Sequence, residues 1–333
     1  MKAYTVNQYK KNEKLALSEV PSPTVGEKQV LVEIYSSAIN LLDSKIRDGE
    51  FKLILKYKPS FILGHDLAGV VRQVGSKVTK FKVGDEVFSR VRDYHQGTFA
   101  ESIAVREDDL ALKPKNISMN EAASVPLVGL TAWQALVEIG QLRPGQKVFI
   151  QAGSGGVGSI AIQLAKHLGA YVATTTSSKN FEFVKSLGAD EVIDYKTQEF
   201  DKILSNYDLV LHSQDSQNLE KSVRIIRSGG KLVSISGPPD SRFAKKLGFP
   251  LTAVVWFLSR KVRKATALKN IQYSFLFMRA DGHQLGKLAE LIEGGIIKPI
   301  IDRKFSFRQI PEAMSYVESG RAVGKVVIDH KAD

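Results

Sequence analysis

The chain has 333 residues, 43% of them hydrophobic and 25% charged, with no cysteine and a formal net charge of +12. That length predicts two domains, and the balance is that of a soluble globular protein. The missing cysteines exclude disulfides, thiolate nucleophiles and any cysteine-built zinc site. No signal peptide is expected, and the longest apolar run, Leu251–Leu258 with one Thr inside it, is too short to span a bilayer.

Residues 1–120 read mostly as strands and turns. Val30–Tyr35 carries β-formers throughout, and Val83–Phe88 is a turn feeding a strand. Gly64, Gly69, Gly75, Gly84 and Gly97 punctuate this part at short intervals, as tight bends in an all-β region would. Ser118 with Glu121 three residues later fits a capping box ahead of Ala122 and Ala123. From there strands and helices alternate over 148–152, 160–169, 171–175, 180–187, 191–193, 208–212, 218–227 and 231–235. Such a series predicts an α/β fold with a parallel sheet covered on both faces. Gly294, Gly295 and Pro299 close a further helix, and Val323–Ile328 ends the chain as a strand.

The strongest motif is Gly153-Ser-Gly155-Gly156-Val157-Gly158, placed between the short strand at Val148–Ile150 and an apolar-periodic helix. Gly153 is expected to allow a tight turn and Gly155 to let the backbone approach a pyrophosphate. Gly158 is expected to let the helix pack on the strand, while free helix N–H groups face the phosphates. In sites that prefer NAD, an acid about 20 residues further on accepts from the ribose hydroxyl. Here Thr174-Thr175-Thr176-Ser177-Ser178-Lys179 occupies that place, with no acid until Glu182. Hydroxyls and a lysine suit the 2′-phosphate of NADPH.

Several motifs agree in order and spacing. They are Asn40-x-x-Asp43, Gly64-His65-Asp66-x-x-Gly69-x5-Gly75-x-x-Val78, and Pro126-x-x-Gly129-x-Thr131-Ala132-Trp133. The glycine loop, Ser186–Asp190, Val192–Tyr195 and Gly320-x4-Lys325-Val-Val-Ile328 complete the set. Over nearly its whole length the chain resembles the medium-chain dehydrogenase/reductase superfamily, within it the zinc-free branch of quinone oxidoreductases and enone or alkenal reductases. The resemblance implies a GroES-like β-barrel catalytic domain over 1–122 and 283–333, split by a Rossmann doubly wound NADP(H)-binding domain over 123–282. It also implies an active site in the cleft. Around the 2′-phosphate the related reductases place a Ser, a Lys and the Tyr of an Asp-Tyr pair, which fall on Ser177, Asn180 and Tyr195, with Lys179 one residue earlier. The same pattern places Asn40, Asp43 and Lys45 where nicotinamide meets substrate, and Ile235 and Gly237 behind the nicotinamide. Thr131, Thr175 and Lys325 complete the expected cofactor contacts.

No metal is expected. The zinc alcohol dehydrogenases hold catalytic zinc through a Cys, the His of the Gly-His motif, and a second Cys or an acid. Here those positions are Asn40, His65 and a site near Leu127, which cannot supply three protein ligands. Without a Lewis acid on the oxygen, alcohol oxidation is disfavoured. Hydride addition to the β-carbon of a conjugated carbonyl is easier, because the resulting enolate can be held by hydrogen bonds. Asn40, Lys45 and Tyr94 are the candidate catalytic residues. Lys45 is a donor to the ribose or the carbonyl, Asp43 a structural anchor, and Tyr94 and His95 are proton sources by position.

The leading expectation is therefore an NADPH-dependent, zinc-independent, cytoplasmic reductase of quinones or α,β-unsaturated carbonyls, working as a homodimer. The alternative is an NADPH-binding protein of little turnover that acts through its basic surface on RNA or membrane. From Ser241 to Ala280 there is no acid but nine bases: Arg242, Lys245, Lys246, Arg260, Lys261, Arg263, Lys264, Lys269 and Arg279. Within this window 249–264 joins an apolar stretch to a cationic cluster. It suits an anionic membrane, a cover for the substrate cleft, the dimer contact this region makes in relatives, or plain core plus surface. Nucleic acid is not expected, since the aromatics do not cluster as a stacking platform.

Overall fold

The computed structural model of the protein describes residues 1–332 except 53, 56, 94–96 and 248–250. Its chain forms two compact units, Met1–Leu130 with Arg279–Asp333, and Thr131–Met278.

The N-terminal part is strand-rich, as its β-branched runs and closely spaced glycines predict. Its strands are β1 (Lys2–Val6), β2 (Ala16–Glu19), β3 (Gln29–Ile39), β4 (Phe61–Ile62), β5 (Asp66–Val74), β6 (Glu86–Arg90), β7 (Ser102–Arg106) and β8 (Leu110–Leu112). Burial in β3 follows the two-residue strand period: Val30, Val32 and Ile34 face a core shared with Leu67, Val71, Val87 and Ile103. One helix here was not expected. Helix α1 (Leu41–Arg47) starts at Asn40, whose N–H donates to Asp43 Oδ2 at 2.8 Å. Asn40-x-x-Asp43 is thus a helix cap inside a region otherwise built of strands. Helices α2 (Met119–Ala123) and α3 (Pro126–Trp133) follow. The Ser118–Glu121 box caps α2 as expected, with the Glu121 N–H on Ser118 Oγ at 3.3 Å and the Ser118 N–H on the Glu121 carboxylate at 2.8 Å.

The middle of the chain alternates. It contains β9 (Lys147–Ile150), α4 (Gly156–His167), β10 (Tyr171–Thr176), α5 (Phe181–Ser186), β11 (Glu191–Asp194), α6 (Phe200–Ile203) and β12 (Tyr207–His212). It continues with α7 (Ser216–Ile225), β13 (Ile226–Ser234), α8 (Ser241–Leu247), α9 (Leu251–Leu258), α10 (Arg260–Leu268) and β14 (Gln272–Phe275). The six strands pair in parallel in the order β11-β10-β9-β12-β13-β14. The order runs outward both ways from β9 and β12, so the sheet is doubly wound. The crevice beyond the carboxyl ends of those two strands is where such sheets take ligands. Helix α4 begins at Gly156, four residues before its apolar periodicity starts, because the glycine loop itself supplies the first turn. The basic apolar stretch is two helices, α9 and α10, divided at Ser259.

The C-terminal part adds α11 (Gly282–Glu293), β15 (Ile301–Ser306), α12 (Ile310–Glu318) and β16 (Lys325–Asp329). Strand β16 returns to the first unit and pairs antiparallel with β3, Val326 opposite Ile39 and Asp329 opposite Ser36. The resulting sheet has seven strands in the order β15-β16-β3-β5-β6-β8, with β7 also on β3. Among the described residues no helix is long and apolar enough to cross a membrane.

Candidate functional site

The glycine loop turns across the end of β10. Ala152, not Gly153, adopts the left-handed conformation, with φ +54°. Its N–H donates to Thr175 Oγ1 at 3.1 Å, and the Gly153 N–H donates to the Thr175 carbonyl at 2.9 Å. Gly153 is needed for a different reason. A Cβ there would lie 2.2 Å from Thr174 Oγ1, whose hydroxyl is already bonded to the Ile150 carbonyl at 2.6 Å. Gly158 is crowded in the same way, since a Cβ would lie 2.3 Å from the Ala152 carbonyl oxygen.

Gly155 is uncrowded. Its nearest neighbour to an added Cβ is the Ala152 oxygen at 3.4 Å. It is the N-cap of α4 and brings no side chain to the cap. The first intrahelical bond runs from the Ser159 N–H to the Gly155 carbonyl at 2.9 Å. The N–H groups of Gly156, Val157 and Gly158 therefore have no acceptor within the helix. Oriented donors on an open face fit a pyrophosphate.

Beside this cradle, the end of β10 and the residues that follow β10 and β11 carry hydroxyls. Thr176 Oγ1 donates to Ser154 Oγ at 2.9 Å, and Thr175 and Ser177 are buried. Asn180 Nδ2 lies 3.4 Å from Thr176 Oγ1 and 3.5 Å from Ser177 Oγ. Lys179 is exposed, and Tyr195 is 62% exposed, its N–H on the Thr176 carbonyl at 3.3 Å. The acid opposite Thr176 in register, Asp194, is buried and accepts from the Lys196 N–H at 3.0 Å. No carboxylate of this rim thus opposes a phosphate on the ribose, and the residues fit NADPH.

At the ends of β12 and β13 the structure shows a network that the sequence reading missed. His212 is fully buried, with Nδ1 2.8 Å from Ser234 Oγ and Nε2 3.0 Å from the Asp215 carbonyl. A carbonyl only accepts, so the ring proton sits on Nε2 and Nδ1 takes the Ser234 hydroxyl proton. Ser234 Oγ in turn accepts the Gly237 N–H at 2.7 Å, and the Ile235 N–H donates to the His212 carbonyl at 3.0 Å. Burial lowers the His212 pKa to about 4 and keeps the ring neutral. The sole trace in the sequence is a histidine closing an apolar strand.

The other predicted residues, Thr131 apart, lie in the first unit. Asn40 spends its side chain internally: Nδ2 donates to Asp66 Oδ2 at 2.9 Å, and Oδ1 accepts from Lys325 Nζ at 2.5 Å. Lys325 is buried and also donates to the Ile39 carbonyl at 3.0 Å and Asp66 Oδ2 at 3.3 Å. Asp66, named in the sequence only as part of a motif, is the hub. Its Oδ1 accepts the Leu127 N–H at 2.8 Å, on the first turn of α3. Burial pushes the Asp66 carboxyl up, against the pull of Lys325 and the bonds from Asn40 and Leu127. Asp43 Oδ1 lies 2.6 Å from His65 Nδ1, with both side chains buried. Lys45 is half exposed, 3.9 Å from Glu50, and Thr131 is buried on α3. Tyr94 and His95 lie outside the described residues.

The positions read as zinc ligands do come together here, as Asp66 bonds both Asn40 and the Leu127 backbone beside His65. Their chemistry does not suit a metal. The Asn40 amide is committed to Lys325 and Asp66, the His65 Nδ1 to Asp43, and Leu127 is apolar. Among the described residues no group of three His, Asp or Glu side chains is placed to hold a metal ion.

Comparison with known proteins agrees with both halves of the fold. Residues 26–115 match the family described as alcohol dehydrogenase GroES-like domain, and residues 187–328 match zinc-binding dehydrogenase. The chain is 38% identical to 2-methylene-furan-3-one reductase of Solanum lycopersicum, over 98% of this chain and 79% of that protein. It is 36% identical to the chloroplastic NADPH-dependent alkenal/one oxidoreductase of Arabidopsis thaliana, over 98% and 79%. Among solved structures, the quinone oxidoreductase of Coxiella burnetii superposes with a TM-score of 0.86 at 28% identity, over 99% of both chains.

Proposed function

Since the chain belongs to the medium-chain dehydrogenase/reductase family, in its branch of quinone and alkenal reductases, we propose that it is an NADPH-dependent oxidoreductase. Its substrates are quinones or the C=C bond of α,β-unsaturated carbonyls. The observation that carries this reading is the glycine cradle joined to a rim of hydroxyls and lysine without an opposing carboxylate.

The chemistry the bound cofactor supplies is one hydride, delivered to a conjugated carbon. The protein's part is to bind and orient. Gly153, Gly155, Gly156, Val157 and Gly158 present the turn and the helix N–H groups to the pyrophosphate. Thr175, Ser177, Lys179 and Tyr195 serve the 2′-phosphate, and the backbone at Ile235 and Gly237 borders the nicotinamide together with Thr131. Lys45 has an exposed ammonium to offer a ribose hydroxyl or a substrate carbonyl. Asn40 and Lys325 act on position rather than on substrate, as their polar atoms are bonded to each other and to Asp66. Tyr94 stays the candidate proton source. The reaction runs without a metal, because the residues at the ligand positions are Asn40, His65 and Leu127. The catalytic domain is assigned to 1–122 with 283–333 and the nucleotide domain to 123–282, whereas the two compact units divide at 130 and 279.

Two partner expectations belong to the same proposal: a homodimer, and peripheral contact with an anionic membrane through 249–264. The reductase names of the relatives favour turnover over a binding-only role. The test mixes NADPH with a panel of quinones and alkenals and follows loss of the reduced-nicotinamide absorbance. Turnover of at least one class is expected; NADPH binding with turnover of none would overturn the reading.

A further inference from the structure

Helix α9 ends in three consecutive exposed apolar side chains, Trp256 at 58%, Phe257 at 69% and Leu258 at 61%. Ser259 alone separates them from α10, so the three sit at a helix–helix corner. Arg263 ties that corner together. Its guanidinium lies 4.4 Å from the Trp256 ring centre, donates to the Trp256 carbonyl at 2.8 Å and reaches Ser259 Oγ at 3.2 Å. Helix α10 is anchored on its other side, where buried Val262 joins the core around Phe149 and Leu232, with Ala265 packed beside it. At 100° per residue, Arg260, Lys261, Lys264 and Leu268 share an arc of about 100° on the opposite face. All four are exposed, Leu268 at 80%.

We propose that the α9–α10 corner inserts into an anionic phospholipid surface, with Trp256, Phe257 and Leu258 as the wedge and Arg260, Lys261 and Lys264 on the headgroups. Three lines lead there. Adjacent positions fan over roughly 200° of helix surface, which suits immersion of a tip better than packing of one face against a protein. The charge is complementary to acidic lipid, with no Asp or Glu anywhere from 241 to 280. A second copy of this chain is a poorer occupant, because a two-fold contact at this corner would gather both copies of the Arg260, Lys261 and Lys264 cluster in one interface, with no acid between 241 and 280 to offset them. The inference deepens the membrane-contact part of the proposal above and uses none of the reductase chemistry.

The test is sedimentation of the full chain with phosphatidylcholine vesicles, with and without about a third phosphatidylserine. Trp256 emission is read in the same samples, with Trp256→Phe isolating the contribution of Trp133. Pelleting is expected only with phosphatidylserine, weakening in high salt. A blue shift quenched by brominated lipid should disappear in Trp256→Phe. Phe257→Asp, and the triple change Arg260→Gln, Lys261→Gln, Lys264→Gln, should each cut the bound fraction at least fivefold. Circular dichroism and NADPH oxidation with a water-soluble quinone should stay as in the parent.

Pelleting with no shift in Trp256 emission would overturn the wedge while leaving peripheral contact standing. Equal binding to neutral vesicles would overturn the role of the cations. Failure to pellet, with a concentration-dependent dimer that Phe257→Asp dissolves, would give the surface to a second copy and overturn the proposal. Vesicle binding without any quinone turnover would leave it intact and count against the reductase reading alone.

Discussion

Two single-methyl changes in the glycine loop separate binding from stability. A Cβ at Gly158 would lie 2.3 Å from the Ala152 carbonyl oxygen and 2.7 Å from Gly153 Cα, both backbone atoms. Neither moves without moving a turn already held at φ +54° in Ala152. Gly158→Ala should therefore cost about 1–3 kcal/mol, the range for overpacking, and shift the helix start away from the phosphates. Gly155 differs on both counts. Its φ of −81° and ψ of 175° suit alanine, and the nearest contact of an added methyl is 3.4 Å. Gly155→Ala should leave the stability read from urea unfolding unchanged or raise it slightly, by up to about 1 kcal/mol. Its methyl would stand where the pyrophosphate comes closest to the backbone. NADPH affinity should fall at least tenfold, about 1.4 kcal/mol. The assay is NADPH fluorescence titration and urea unfolding on the same three proteins. If Gly155→Ala binds NADPH as the parent does, the cradle assignment is wrong. If Gly158→Ala unfolds at the parent midpoint, the crowding argument is wrong.

Other outcomes follow from the same geometry. Lys325→Met strands the buried Asp66 carboxyl without its cation and should cost about 3–5 kcal/mol in urea unfolding. Combining it with Asp66→Asn should cost less than the two single changes summed, and additivity would show that the two side chains are not coupled. Lys179→Asp should reverse a preference for NADPH over NADH of at least tenfold, about 1.4 kcal/mol, read from Kd for each cofactor. An unchanged ratio would remove Lys179 from the site. His212 has a folded pKa of about 4 against an ordinary 6.5, so its contribution to stability is complete above pH 6.5 and drains away as pH falls towards 4. The span corresponds to at most about 3 kcal/mol. His212→Gln should flatten this part of the acid slope in unfolding midpoints. His330, lowered by burial to about 3, should supply a further part that persists in the variant. A slope identical to the parent would mean the ring is not buried neutral.

Much of the nucleotide unit is legible in the sequence because its signals are local. A glycine loop flanked by a strand and an apolar-periodic helix fixes its own fold, and the acid-free stretch after β10 is read directly. The departures come where the reason is spatial. The loop bends at Ala152, while Gly153 is demanded by the side chain of Thr174 on the neighbouring strand, a crowding no local pattern reveals. His212 and Ser234 stand 22 residues apart and meet only because β12 and β13 are paired. The same holds for Lys325 and Asn40, joined across 285 residues by the pairing of β16 with β3. Asn40-x-x-Asp43 carried a cap signature, but the surrounding strand-formers masked the short helix it starts. The division of the basic segment at Ser259 went unread because no glycine or proline marks it and Ser259 keeps near-helical dihedrals.

The most direct measurement of the central claim is single-turnover mixing of NADPH with an alkenal or quinone on protein stripped of metal by a chelator. Stoichiometric loss of the reduced-nicotinamide absorbance at the rate of untreated protein, with NADH at least tenfold weaker, is the expected result. Activity that vanishes on chelation and returns with one zinc per chain, or a protein that takes up no nicotinamide nucleotide, would contradict it.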